Sequence, residues 1–125
     1  DVARRAVYPE RESEPVPLPL RRKYLMRSKD ADEPLVRIVP ELRQHTRYKH
    51  MNFMDEQYSV GEKFHLIFCR NMLIYFDSPT QEQVVNRLAR HLHPGGLFLT
   101  GHAESLGRIR TPFVALEPTI YQLPD

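Results

Sequence analysis

The clearest pattern of apolar and polar positions runs from Phe64 to Glu104, in FHLIFCRNMLIYFDSPTQEQVVNRLARHLHPGGLFLTGHAE. It opens with Phe64, Leu66, Ile67, Phe68 and Cys69, whose length and aromatic content predict a strand buried on both faces and hence a parallel sheet. Ser78 with Gln81 three residues on reads as a capping box, and Pro79 falls at the first helical position, where its missing donor costs nothing. Val84, Val85, Leu88, Ala89 and Leu92 share one face at helical spacing, whereas Glu82, Asn86, Arg87 and Arg90 point elsewhere, so the helix is predicted to pack on one side only. Pro94, Gly95 and Gly96 end it, and Leu97, Phe98 and Leu99 form a second apolar run. The pattern over 64–102 is therefore strand, helix, strand. Such crossovers are nearly always right-handed and place two parallel strands in one sheet. Ligands of open sheets of this kind sit beyond the carboxyl ends of the strands. Polar residues collect there: Arg70 and Asn71 after the first strand, His102 and Glu104 after the second.

The flanking segments carry shorter patterns. Val2, Ala3, Ala6 and Val7 are spaced as the tail of a helix, and four prolines between Pro9 and Pro19 predict an extended connector. Between Tyr24 and His50 three short strands are predicted, Tyr24 to Met26, Leu35 to Val39 and Thr46 to His50, with the polar turn SKDADEP after the first. This makes a small antiparallel β insertion over 24–50. Residues 57–63 read as a loop pivoting on Gly61. Phe113 to Leu123 gives two strands broken at Glu117 and Pro118, a closing hairpin over 113–123. The fold class is α/β, built on a β-α-β core.

Composition narrows the function classes. A chain of 125 residues has room for one domain, and 18 basic against 16 acidic residues, net +2, argue for neither a nucleic-acid nor a membrane surface. Arg21, Arg22 and Lys23 read either as a solvated helical turn or as an attraction for an acidic partner. The single cysteine, Cys69, excludes an internal disulfide framework, fits a reducing compartment and reads as a small core residue. No stretch reaches the roughly 20 apolar residues of a membrane span and no signal pattern opens the chain, so a soluble, cytoplasmic protein is expected. The six histidines are scattered without a zinc-ligand spacing, and there is no Walker loop, nucleophile elbow or paired-carboxylate signature.

CRNMLIYFDSPTQ followed by LHPGGLFLTGHAESL resembles the signature of the CheR-type chemoreceptor methyltransferases. These enzymes move a methyl group from S-adenosyl-L-methionine to glutamate side chains of receptors, releasing S-adenosyl-L-homocysteine. ARRAVYPE, RRKYLMRS, VRIVPELR and HMNFMD extend the similarity over nearly the whole chain. The resemblance implies a partial class I, Rossmann-like methyltransferase sheet, of spatial order 3-2-1-4-5-7-6, with this chain supplying strands 3, 4, 5, 6 and 7. It places Asn52 and Phe53 beside the adenine, Arg70 and Asn71 in the cofactor pocket, and Tyr75 near the transferred methyl. GHAESL resembles the family block GHSESL, which shapes the pocket floor. On the residues alone, Asn52 and Asn71 read as turn formers, Arg70 as a strand-end surface residue and Tyr75 as core or rim. The implied partners are methyl-accepting chemoreceptors, with the β insertion docking a receptor tail peptide in some relatives and serving as an ordinary hairpin otherwise.

The family carries a small helical domain, a glycine-rich cofactor loop and an acidic ribose-binding segment before the equivalent of Asp1. None lies within these 125 residues. The expectation is a carboxyl-terminal portion that binds cofactor weakly or not at all by itself, and that self-associates through the exposed edge of the Phe64 strand or belongs to a larger enzyme. The competing reading from another class is a non-catalytic cofactor-binding or receptor-interaction module of the same fold.

Overall fold

In the computed structural model, which describes residues 1–30 and 32–125, the chain divides between His50 and Met51 into two units. Ala31, in the predicted SKDADEP turn, lies outside the described residues.

In the first unit, helix α1 (Val2–Arg5) stops at Ala6, which takes the left-handed conformation, φ 54°, and turns the chain into strand β1 (Val7–Pro9). A 3₁₀ turn (Glu10–Ser13), helix α2 (Leu18–Tyr24), strands β2 (Leu25–Arg27) and β3 (Leu35–Ile38) and helix α3 (Pro40–Arg43) follow. The strands form an antiparallel sheet in the order β1-β3-β2, with Val36 of the central strand buried between Tyr8 and Arg27. The proline-rich connector is less extended than predicted. Pro17 precedes α2 and Pro19 lies in its first turn, where no backbone donor is required. Arg21, Arg22 and Lys23 fill the last turn of α2, where cations complement the partial negative charge of the helix end. Thr46 to His50 form no strand; β1 takes the third place in the sheet instead. With β1 and β2 on either side, β3 has no open edge left, and α3 leads the chain out of the sheet after Val39.

The second unit contains strand β4 (Phe64–Cys69), a 3₁₀ turn (Leu73–Tyr75), helix α4 (Ser78–Ala89), and strands β5 (Leu92–Thr100), β6 (Val114–Glu117) and β7 (Ile120–Gln122). The sheet order is β4-β5-β7-β6, with β4 and β5 parallel and the other pairs antiparallel. The predicted β-α-β unit is present, and so is the closing hairpin, whose second strand lies between β5 and the edge strand β6. Val84 and Val85 of α4 and Leu92 and Phe98 of β5 are sealed from solvent, and the Phe113 ring stacks on Phe98 at 4.9 Å. Burying each such side chain contributes about 1.5–3 kcal/mol.

Four details depart from expectation. The cap of α4 is Asp77, whose carboxylate accepts the Thr80 N–H at 2.9 Å; Ser78 is already helical and Gln81 is engaged elsewhere. The Pro94-Gly95-Gly96 stretch does not separate helix from strand, because β5 starts at Leu92. It is an excursion within the strand, so that Phe64 faces Leu92 while Leu66 faces Leu97, and Gly95 supplies the positive φ of 79° that the excursion needs. Strand β4 is not buried on both faces: Phe64, Leu66 and Phe68 are 40%, 43% and 63% exposed. Its composition suits a central strand, but among the described residues β5 is its only neighbour. Finally, only the 4-5-7-6 part of the expected order is assembled, with no further strand in this sheet among the described residues. Among the described residues no helix is long and apolar enough to cross a membrane.

Candidate functional site

The loop that leaves the carboxyl end of β4 is built by side chains far from it in sequence. Asn71 sits in the left-handed region, φ 59°, which asparagine tolerates better than most residues. This turns the next N–H groups inward, towards Glu104. That carboxylate is 6% exposed; one oxygen accepts the Asn71 N–H and the other the Leu73 N–H at 3.0 Å. Glu104 is held in turn by its own N–H on the Gly101 carbonyl (3.0 Å) and by the Thr100 hydroxyl on its carbonyl (2.9 Å). A side chain at residue 101 would displace this arrangement, since a Cβ there would lie 2.8 Å from the Glu104 carboxylate and 2.9 Å from the Asn71 amide oxygen. On the other side of the loop, the Gln81 amide donates to the carbonyls of Leu73 (2.7 Å) and Phe76 (3.0 Å). The ends of the two parallel strands are thereby tied together, and the loop's inward backbone groups are satisfied.

This arrangement leaves three of the predicted site residues on the outside of one short loop. Arg70 and Asn71 are exposed and Tyr75 is 79% exposed. Among the described residues, neither the Arg70 guanidinium nor the Tyr75 hydroxyl has a hydrogen-bond partner. Asn52 and Phe53 lie on a separate turn. The Asn52 side-chain oxygen accepts the Met54 N–H at 2.9 Å, and the half-buried Phe53 ring meets Tyr58 edge-on at 6.2 Å. The Tyr58 hydroxyl donates to the Phe53 carbonyl at 2.7 Å, and the Arg87 guanidinium of α4 reaches the carbonyls of Met54 (3.3 Å) and Phe53 (3.5 Å). Burial raises the Tyr58 phenol above its usual range, while Arg87 beside it pulls the other way.

His102 and Glu104, which follow the same strand, do not act together: His102 is exposed, whereas Glu104 is turned inward. The Cys69 thiol is pushed up to about 12, first by burial and then by the charge of Glu104, and so stays protonated at neutral pH. Among the described residues no group of three or more His, Cys, Asp or Glu side chains is placed to hold a metal ion.

The polar flank of α4 is where the sequence misled. Glu82, Asn86 and Arg87 read as pointing away from the packed side, yet each anchors a loop. Glu82 accepts the Arg110 N–H at 2.6 Å, Asn86 donates to the Arg110 carbonyl at 2.8 Å, and Arg87 holds the Phe53 turn. The available signal was that these residues border the apolar stripe one or two positions from Val84, Val85 and Leu88, where long polar side chains reach over the rim of a core.

Comparison with known proteins bears on what this arrangement belongs to. The family model described as "CheR methyltransferase, SAM binding domain" matches residues 1–121. The chain is 38% identical over 105 residues to chemotaxis protein methyltransferase 2 of Pseudomonas aeruginosa, an alignment covering 84% of this chain and 38% of that protein. It is 38% identical over 101 residues to the chemotaxis protein methyltransferase of Salmonella typhimurium and 37% over 101 residues to that of Escherichia coli, covering 81% of this chain and 35% of each. The chain thus spans little more than a third of the length of these relatives. Matched across 121 of its 125 residues, and with the parallel strand pair and closing hairpin in place, the chain belongs to the CheR methyltransferase SAM-binding-domain family.

Proposed function

We propose that the natural protein containing this chain is a cytoplasmic S-adenosylmethionine-dependent methyltransferase that esterifies glutamate side chains of chemoreceptors in chemotaxis signalling. The observation that carries this reading is the loop Arg70 to Phe76, which Glu104 and Gln81 hold at the carboxyl end of a parallel strand with Arg70 and Tyr75 exposed and the Asn71 amide oxygen lying against Gly101. A guanidinium without a hydrogen-bond partner among the described residues, beside an asparagine amide, suits the carboxylate, ammonium and hydroxyl groups of an amino-acid and nucleoside ligand. Asn52 and Phe53 offer an amide and an aromatic edge to a purine. When bound, S-adenosylmethionine supplies a methyl group on a sulfonium, and transfer leaves S-adenosylhomocysteine and a methyl ester.

The chain's own part in the chemistry is alignment. A glutamate side chain with a pKa near about 4.3 is already ionised at neutral pH, so no general base is required. Positive and negative charge disappear together as the methyl moves, and an oriented, water-poor pocket favours that more than a proton relay does. The Tyr75 hydroxyl, without a hydrogen-bond partner among the described residues, is available to hold the incoming carboxylate or the methionine portion of the donor.

The test uses the natural full-length protein, labelled S-adenosylmethionine and chemoreceptor. Base-labile methyl esters on receptor glutamates, with lower turnover in Tyr75→Phe, are the expected outcome. Tight binding of S-adenosylhomocysteine without ester formation would instead make the protein an interaction module. Base-stable methyl groups would point to another acceptor.

A further inference from the structure

The turn from Met51 to Asp55 is short of internal support. It has the Asn52 side chain on the Met54 N–H and a 3.1 Å bond from the Asp55 N–H to the Asn52 carbonyl, which close a tight turn but leave the carbonyls of Phe53 and Met54 to be satisfied from outside. Arg87 and Tyr58 meet that need. Tyr58 donates its hydroxyl to Phe53 and packs its ring against the Phe53 ring, so backbone and side chain of one residue are fixed by the same partner. Arg87 adds the Met54 carbonyl and touches the Tyr58 hydroxyl, and the Tyr58 ring is backed by His91 at 6.1 Å. Arg87 belongs to α4, whose Val84, Val85 and Leu88 are buried in the core, and Tyr58 is itself 5% exposed. The turn is therefore tied to the buried core of the unit.

We propose that Arg87 and Tyr58 are positioning residues that set the selectivity of this turn for the base of the nucleoside ligand; this rests on the reading of Asn52 and Phe53 as the base-contacting pair. Recognition of one purine edge over another requires donors and acceptors held in place, because an unmatched buried polar group costs more than a matched one contributes. A turn whose only internal bonds are those of Asn52 and Asp55 would adapt to either edge. Pinned by two outside donors, it presents one fixed set.

The experiment is calorimetric titration of the natural full-length protein with S-adenosylhomocysteine and with its hypoxanthine counterpart, S-inosylhomocysteine, alongside turnover at saturating methyl donor. The wild type is expected to prefer the adenine ligand. Arg87→Met and Tyr58→Phe are expected to weaken its binding by about three- to tenfold, the range for one hydrogen bond, and to narrow the preference between the two bases while turnover at saturation is retained. Arg90→Met, an exposed position at the end of the same helix, is the control and changes neither. A merely structural role would lower thermal stability and leave the ratio of the two affinities at its wild-type value, and that result overturns the proposal. If Arg87→Met does not fold, Tyr58→Phe, which removes one oxygen and keeps the ring, decides by the same ratio. A wild type that binds neither ligand refutes the functional reading above and this inference with it.

Discussion

Glu104→Gln changes one oxygen to an NH₂ group in a site where two backbone N–H groups point at two oxygens. In the wild type both bonds run to a carboxylate, and hydrogen bonds to a charged group contribute roughly 1.5–3 kcal/mol each. Glutamine keeps one acceptor, now neutral and worth about 1 kcal/mol, and sets its amide donor against the second N–H with no water to separate them. The expected loss is therefore about 2–5 kcal/mol before the opposed donors add to it, against a total stability of about 5–15 kcal/mol for an ordinary domain, so the variant unfolds earlier in urea. Local amide exchange gives the sharper reading. Asn71 and Leu73 are in a loop, and the partner that protects their amides is Glu104; in Glu104→Gln at least one of the two should exchange about tenfold or more faster, a factor that corresponds to 1.4 kcal/mol, while amides in the middle of β5 keep their relative protection. S-adenosylhomocysteine affinity of the full-length protein should fall in parallel. If the urea midpoint is unmoved and both loop amides exchange as in the wild type, the idea that Glu104 builds this loop is wrong.

Other expectations follow from the same geometry. Phe98→Ala removes a side chain sealed from solvent and stacked on Phe113, and should cost about 3–5 kcal/mol in denaturant unfolding; a loss under 1 kcal/mol would mean the core is not centred there. The Asp77 carboxyl is held below its usual range by the Thr80 bonds, so its contribution is fully present above the unfolded-state value near about 3.9 and disappears as pH falls through the lower folded value. The melting-temperature gap between wild type and Asp77→Ala should accordingly close in strong acid; a gap constant down to pH 2 argues against the cap. The Cys69 thiol, raised to about 12, should react with iodoacetamide at pH 8 only at the rate of unfolding, and its linkage runs the other way: stability is present below the unfolded thiol value near about 8.5 and is lost as pH rises from there towards the folded value. Residues 1–125 expressed alone should self-associate through β4, and Phe68→Lys should shift them towards monomer in size-exclusion chromatography; a monomeric wild type would show that the exposed edge attracts no partner.

Local chemistry and periodicity were enough for most elements of the second unit. The apolar run at 64–69, the 3.6-residue stripe of Val84, Val85 and Leu88, and the break at Glu117 and Pro118 each name an element by rules that act within a few residues, and all three elements are present. The placing of Arg70 and Asn71 at a strand end followed from the same reading. Where the sequence misled, a competing local signal was outweighed by pairing partners far along the chain. Ser78 and Gln81 have the spacing of a capping box, yet Asp77 caps the helix because the Gln81 amide is drawn to the carbonyls of Leu73 and Phe76. Thr46 to His50 have a strand's composition, yet Val7–Pro9 occupies the edge of β3.

By itself, then, the order of residues determined the strand-helix-strand core and closing hairpin of the second unit, the apolar stripe of α4, and that polar groups gather beyond β4 and β5, because propensity and periodicity are properties of neighbours in sequence. Only the tertiary structure decided that Glu104 closes on Asn71 and Leu73 and that Arg87 holds the turn at Phe53. Those facts depend on unpaired backbone groups finding donors and acceptors some 30 residues away, and no local pattern encodes which partner arrives.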